Sequence, residues 1–208
     1  MIKNYEELNE IQIDILREIG NIGAGNAATA LADILDEKVE ISVPKVKIVD
    51  FDSAVNILGS AEQLIMGVLV SFSGEAQGMI MFLLNMSDAE QITSLLVREE
   101  WEDEEGDDEE LSPLKMSAIK EIGNILSSSY LNAISTLTGL NITISVPCIA
   151  IDMAGAIMSV PIIEFGALGD KVMYIEENFK GESNSLKSHV IMFAELDTLK
   201  IIMERLGF

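Results

Sequence analysis

The chain repeats itself once, and that repeat limits the possible fold more than any other feature of its 208 residues. Asp14-Ile-Leu-Arg-Glu18-Ile-Gly-Asn21-Ile lines up with Ser117-Ala-Ile-Lys-Glu121-Ile-Gly-Asn124-Ile. Further on, Ile41-Ser-Val-Pro44 lines up with Ile144-Ser-Val-Pro147. The offset is 103 at every landmark, with no gap between them. Self-similarity at a fixed spacing marks a duplicated structural unit. The expected architecture is therefore α/β (α+β): a pseudo-two-fold pair of units whose long helices pack on one continuous, mostly antiparallel sheet.

Each half reads alike. A long helix is expected at 9–36 and again at 111–138. Extended segments follow at 39–49 and 142–151, with the alternation of half-buried strands. Pro44 and Pro147 fall inside them, so pairing should bend or stop there. Further strands are expected at 64–73 and 77–85 in the first half, and at 155–164, 172–179 and 187–194 in the second. Amphipathic helices at 87–98 and 195–206 close the halves, with Ser87-Asp-Ala-Glu90 and Asp197-Thr-Leu reading as N-caps. Ser112-Pro113 reads as the cap and first turn of the second long helix. The whole of 1–208 is expected to form one domain built of two repeats, about 9–98 and 111–208.

Between the repeats lies an acidic run. Residues 99–110 (EEWEDEEGDDEE) hold ten acids and no base, and read as a solvated linker. The chain as a whole carries 35 acids and 13 bases, a net charge of −22. Phosphate backbones and anionic lipid repel such a surface, which argues against nucleic-acid and membrane roles. A mean hydropathy of +0.31 supplies ample apolar surface for a core. A single cysteine excludes an internal disulfide framework. The acidic start lacks the pattern of a signal peptide, and no apolar run is long enough to span a bilayer, so a cytoplasmic location is expected.

The long helices carry an unusual face. At 100° per residue, Asp14, Asn21 and Gly25 fall within about 60° of Glu18, and Ala28 and Ala32 continue the stripe. Leu16, Ala27, Leu31 and Ile34 lie opposite, as the core face. The second helix repeats this arrangement. Ser117, Glu121, Asn124, Ser128 and Ser135 share one side, and Ile119, Ile122, Leu126, Tyr130 and Leu137 the other. Asparagine is a poor mid-helix residue, and Gly20, Gly23 and Gly25 each cost about 1 kcal/mol relative to alanine. Geometry alone leaves a functional stripe and a wetted helix face equally open.

Other motifs carry less. Gly20-Asn-Ile-Gly-Ala-Gly25 has the wrong glycine order, no preceding strand and no GK[ST] for a nucleotide loop. The lone histidine, His189, sits in an expected strand, which leaves no nucleophile–histidine triad. Cys148 follows Pro147 in an alternating strand and is expected in the core. No cluster of histidines and cysteines suggests a transition-metal site.

The spacing D/S-x3-E-x2-N, followed by a proline some way downstream, resembles the CheC/CheX/FliY family of response-regulator phosphatases. The chain carries it twice, as Asp14, Glu18, Asn21 with Pro44 and as Ser117, Glu121, Asn124 with Pro147. CheX proteins carry one copy, so two copies resemble the CheC branch. The resemblance implies hydrolysis of the aspartyl phosphate on phosphorylated CheY. It implies Asn21 and Asn124 as the groups that position water, and Glu18 and Glu121 as partners of a regulator lysine. It implies no cofactor on this chain, with Mg2+ held by the regulator. Family members also bind CheD, a receptor deamidase, and Ile151-Asp152-Met153-Ala154-Gly155 resembles the stretch linked to that contact. A strand-end turn accounts for Asp152 equally well.

Two other readings belong to the same resemblance. FliM-like domains share the fold but lack the Glu/Asn pairs and are structural. FliY keeps the pairs and adds further segments, for which a chain ending at Phe208 is expected to leave no room. A non-enzymatic module that chiefly binds CheD is the alternative function.

Overall fold

The computed structural model describes residues 7–35, 38, 40–41, 44–96, 112–165, 171–180 and 185–208. The acidic run 99–110 lies outside them. In chain order the elements are α1 (Glu10–Leu35), β1 (Glu40–Ile41), β2 (Lys45–Asp50), α2 (Phe51–Ile57), β3 (Leu64–Gly74), β4 (Gly78–Asn85) and α3 (Met86–Leu96). The second half follows with α4 (Pro113–Thr138), β5 (Ile142–Ile144), β6 (Cys148–Met153), α5 (Ala154–Phe165), β7 (Lys171–Lys180), β8 (Ser185–Ala194) and α6 (Leu196–Arg205).

The described strands form one eight-stranded sheet in which every pairing is antiparallel. Its order is β1-β7-β8-β4-β3-β5, with β2 also on β7 and β6 also on β3. Each outer position is thus shared by two short strands, and Pro44 or Pro147 lies in the break between them. A residue without an N–H cannot extend the ladder, so the expected interruption is found where the prolines are. The outer strands also cross between halves. The first half's β2 pairs with β7 from Lys45↔Glu176 to Asp50↔Lys171, and the second half's β6 pairs with β3 from Leu64↔Met153 to Leu69↔Cys148.

Both faces of the sheet are covered, which explains the nearly unbroken apolar runs of its central strands. Met66, Val68, Val70, Ile80, Phe82, Ile175 and Val190 face a core shared with α1, α3, α4 and α6. The alternate residues Ile65, Leu69, Met81, Leu83, Tyr174 and Ile191 face a second core with α2 and α5. His189 lies buried in β8, as its strand position implied, with its Nδ1 2.5 Å from the Tyr174 hydroxyl. Burial pushes the Tyr174 phenol above its ordinary range, and the nearby Glu176 adds to this.

Several local expectations need correction. Residues 155–164 form helix α5 and not a strand, and α2 stands at the corresponding place in the first half. A short apolar run cannot be assigned to helix or strand by periodicity alone. The N-caps of the closing helices also differ. Helix α3 starts at Met86, so Ser87 is already inside it. Glu195 flanks α6 without a capping bond, and Thr198 instead binds the backbone of Gln77 through both N (2.7 Å) and O (2.8 Å). Ser112 does cap α4, accepting from the Lys115 N–H, with Pro113 in the first turn. Gly139 ends α4 at φ 71°, a left-handed conformation that glycine adopts without steric cost. Ile34 and Leu137, placed with the core face, are 42% and 39% exposed. In the last turns the buried face has rotated toward Leu31 and Ile134.

Candidate active site

The two motif-bearing helices, α1 and α4, pack against each other on one face of the sheet. The absence of side chains at three positions lets these helices lie close to the sheet and to each other. A Cβ on Gly20 would lie 2.7 Å from Val46 Cγ2, and one on Gly123 would lie 2.4 Å from Val68 Cγ1. A Cβ on Gly23 would lie 2.4 Å from the ring of Tyr130. These glycines beside Asn21 and Asn124 are therefore packing devices, which the reading of the helices from propensity did not separate from function. Gly25 differs, because nothing stands within 4 Å of the place its Cβ would take.

With the glycine side of each helix pressed inward, the motif side faces out. Asp14, Glu18 and Asn21 are exposed on α1, and so are Ser117 and Glu121 on α4, while Asn124 is half-buried. Glutamate and asparagine three residues apart stand one turn apart on the same side of a helix. The side chains of Glu18, Asn21, Glu121 and Asn124 have no hydrogen-bond or ion-pair partner among the described residues. Each helix thus offers outward a carboxylate and a carboxamide whose bonding capacity is unspent. The small-residue stripe is shorter than the sequence implied: Gly25 is exposed, but Ala28 is buried.

The supporting positions are not equivalent in the two halves. Asp14 accepts an ion pair from Arg17 at 2.6 Å. Its counterpart Ser117 cannot do this, and Lys120, the counterpart of Arg17, has no ion-pair partner among the described residues. Pro44 and Pro147 are both half-buried at the foot of an outer strand. Pro147 lines a surface groove together with Ser117, so the structure brings these two motif residues to one place. In the first half, α1 rests by Gly20 on Val46, two residues beyond Pro44.

Cys148 is exposed, contrary to its expected core position. It begins β6 at the margin of the sheet, where no further strand among the described residues covers it. Asp152 is exposed near the end of β6, and its carboxylate accepts from the Met153 N–H at 2.7 Å. It lies in a paired strand and not in a turn, opposite Ile65. Ile151 and Met153 beside it and Leu64 on β3 are large apolar residues, 41%, 52% and 48% exposed.

Lys120 and Met116 were missed in the reading of the sequence, although both flank the motif stripe. Their signal was comparative: at corresponding positions the first copy reads Ile13, Asp14 and Arg17, the second Met116, Ser117 and Lys120.

Comparison with known proteins gives this geometry a context. A family model described as the CheC-like family matches residues 11–48 and 114–151, which contain both copies of the motif. The CheY-P phosphatase CheC of Bacillus subtilis (strain 168) is 33% identical over 206 residues, spanning 98% of this chain and 97% of that protein. The flagellar motor switch phosphatase FliY of the same organism is 30% identical over 146 residues, 70% of this chain and 37% of its own length. The crystal structure of Thermotoga maritima FliY superposes with a TM-score of 0.70 at 25% identity, covering 96% of this chain and 98% of that one. Two matched copies of the motif, and a relative one-third identical from end to end, mean that this chain belongs to the CheC-like family.

Proposed function

We propose that the protein is a phosphatase that hydrolyses the aspartyl phosphate of phosphorylated CheY, with one site on each long helix. The observation that carries this reading is the pair of exposed, unpartnered Glu/Asn sets, Glu18 with Asn21 and Glu121 with Asn124. Relatives named as CheY-P phosphatase and motor switch phosphatase support it.

An acyl phosphate is already reactive, so most of the available acceleration comes from placing water in line with phosphorus. The carboxamide oxygen of Asn21 or Asn124 accepts a hydrogen bond from that water, while its NH2 donates to a phosphoryl oxygen. The water oxygen bonds to phosphorus, and the bond from phosphorus to the regulator carboxylate oxygen breaks. Inorganic phosphate leaves with the water's protons, and the regulator's aspartate is restored. Glu18 or Glu121, one turn back, pairs with a regulator lysine and fixes the register of docking. Asp14, Ser117, Pro44 and Pro147 shape the surroundings of these groups. Mg2+ belongs to the regulator, where it neutralises phosphoryl charge.

Asn21→Ala combined with Asn124→Ala should reduce phosphate release from phosphorylated CheY to the rate seen without the protein, while circular dichroism and melting stay native. Undiminished release from that double variant would overturn the mechanism.

A second interaction concerns CheD. The exposed apolar residues Ile151 and Met153 flank Asp152 along β6, with Leu64 paired to Met153, and such exposed apolar surface at a sheet margin favours a protein partner there. We infer that Asp152 is the polar contact in a CheD-binding surface. Asp152→Lys should eliminate CheD capture in a pull-down; capture at the wild-type level removes Asp152 from that surface.

A further inference from the structure

The second site has a feature that the repeat does not explain. A groove of about 380 Å³ opens between the first turns of α4 and the start of β6, lined by Met116, Ser117, Lys120, Pro147, Cys148 and Ile149. Taking Glu121 as the origin, Asn124 lies at about 300° around the helix, Ser117 at about 320°, Lys120 at about 260° and Met116 at about 220°. The groove therefore runs along the asparagine side of the catalytic stripe and shares Ser117 with it. A protein seated over Asn124 also meets the groove.

The groove's chemistry is mixed. Met116, Pro147 and Ile149 give it half-buried apolar surface, and Lys120 gives it an exposed cation without an ion-pair partner among the described residues. In the first half the corresponding cations are already engaged. Arg17 holds Asp14 at 2.6 Å, and Lys45, which stands where Cys148 stands, holds Glu176 at 3.0 Å. Lys120 keeps its charge for a partner, whereas Arg17 must first give up an internal pair.

We propose that this groove is a docking subsite for the phosphorylated regulator, taking an apolar side chain with an acidic neighbour, and that it makes the second site bind substrate more tightly than the first. The inference rests on the phosphatase reading of the same site. Lys120 is a positioning residue here, acting on affinity and register and not on the reacting atoms.

The test uses the full chain with one site disabled at a time, and follows phosphate release against the concentration of phosphorylated CheY. Asn21→Ala, which leaves the second site, should show a KM lower than Asn124→Ala by roughly threefold to tenfold, the scale of one exposed ion pair plus a partial apolar contact. In the Asn21→Ala background, Lys120→Glu should raise KM with little change in kcat, and Lys120→Arg should restore it. Met116→Arg should act in the same direction. In the Asn124→Ala background the same substitutions should have a much smaller effect. Equal KM values for the two single-site variants, or an equal response to Lys120→Glu in both backgrounds, overturns the proposal while leaving the phosphatase reading intact. Wild-type release from the variant lacking both asparagines would overturn that reading too.

Discussion

Three glycines on the motif helices have reasons that differ from a fourth. Gly20, Gly23 and Gly123 are occupied on their inner side by Val46, Tyr130 and Val68, so each admits a close approach of helix to sheet or helix to helix. Adding a methyl group to a packed position forces neighbours off their rotamers, at about 1–3 kcal/mol. Gly25 has empty space in the same direction, so there the helix propensity of alanine is gained without a clash. Gly123→Ala is expected to lower unfolding stability in urea by about 1–3 kcal/mol. Gly25→Ala is expected to raise it by up to about 1 kcal/mol. The opposite signs, measured on one denaturation series, separate packing from propensity. The propensity scale alone gives both substitutions the same sign, because it counts a glycine's cost and carries no information about what lies beside it.

At the scale of elements, the legible parts were those whose pattern is set by the chain itself. The long helices α1 and α4 were readable because their apolar stripes run for many turns, and the Ser112-Pro113 start of α4 is local chemistry. Strands β3, β4, β7 and β8 were readable from apolar runs bounded by glycines and polar turns. The breaks at Pro44 and Pro147 follow from a missing N–H. Helices α2 and α5 were not read, and the reason is specific. Residues 154–165 are apolar on all sides, and Pro161 inside the run argues against a helix. The repeat offered a correction, since the offset of 103 carries Phe51 at the start of α2 onto Ala154 at the start of α5. In the first copy the cue is visible: Asp50 caps α2 by accepting from the Ser53 N–H at 2.6 Å. The exposure of Glu18, Asn21 and Glu121 was legible in the helical period. The groove beside Ser117 was not, because it depends on how close β6 comes to α4.

At the scale of the molecule, the two halves are tied by more than the sheet. Glu75, between β3 and β4, accepts from both the backbone N–H and the side-chain amide of Asn141, each at 2.8 Å, and pairs with Arg205 at 3.3 Å. The hydrogen bonds from Asn141, and then the Arg205 charge, hold the Glu75 carboxyl below its ordinary range. A group whose pKa falls on folding contributes stability above its unfolded value and loses it as pH drops through the lowered one. Glu75→Gln should therefore lower the melting temperature at pH 7. The gap to wild type should close on acidification below the ordinary glutamate value of about 4.3. A gap of constant size in melts from neutral to acid pH would show that the carboxylate charge does not carry this link.

The crossing of the outer strands has its own consequence. Since β2 completes the margin at β7 and β6 completes the margin at β3, each half supplies the edge that the other lacks. Two separate copies of one ancestral half could satisfy this pattern only by trading strands, as an obligate homodimer does. Joining such copies in tandem makes their meeting intramolecular and raises their effective concentration to about the millimolar range, so assembly no longer depends on expression level. It also ends the requirement that both copies carry the same sequence. Asp14 with Arg17 on one side and Ser117 with Lys120 on the other are differences that a symmetric dimer, encoded by a single sequence, could not hold.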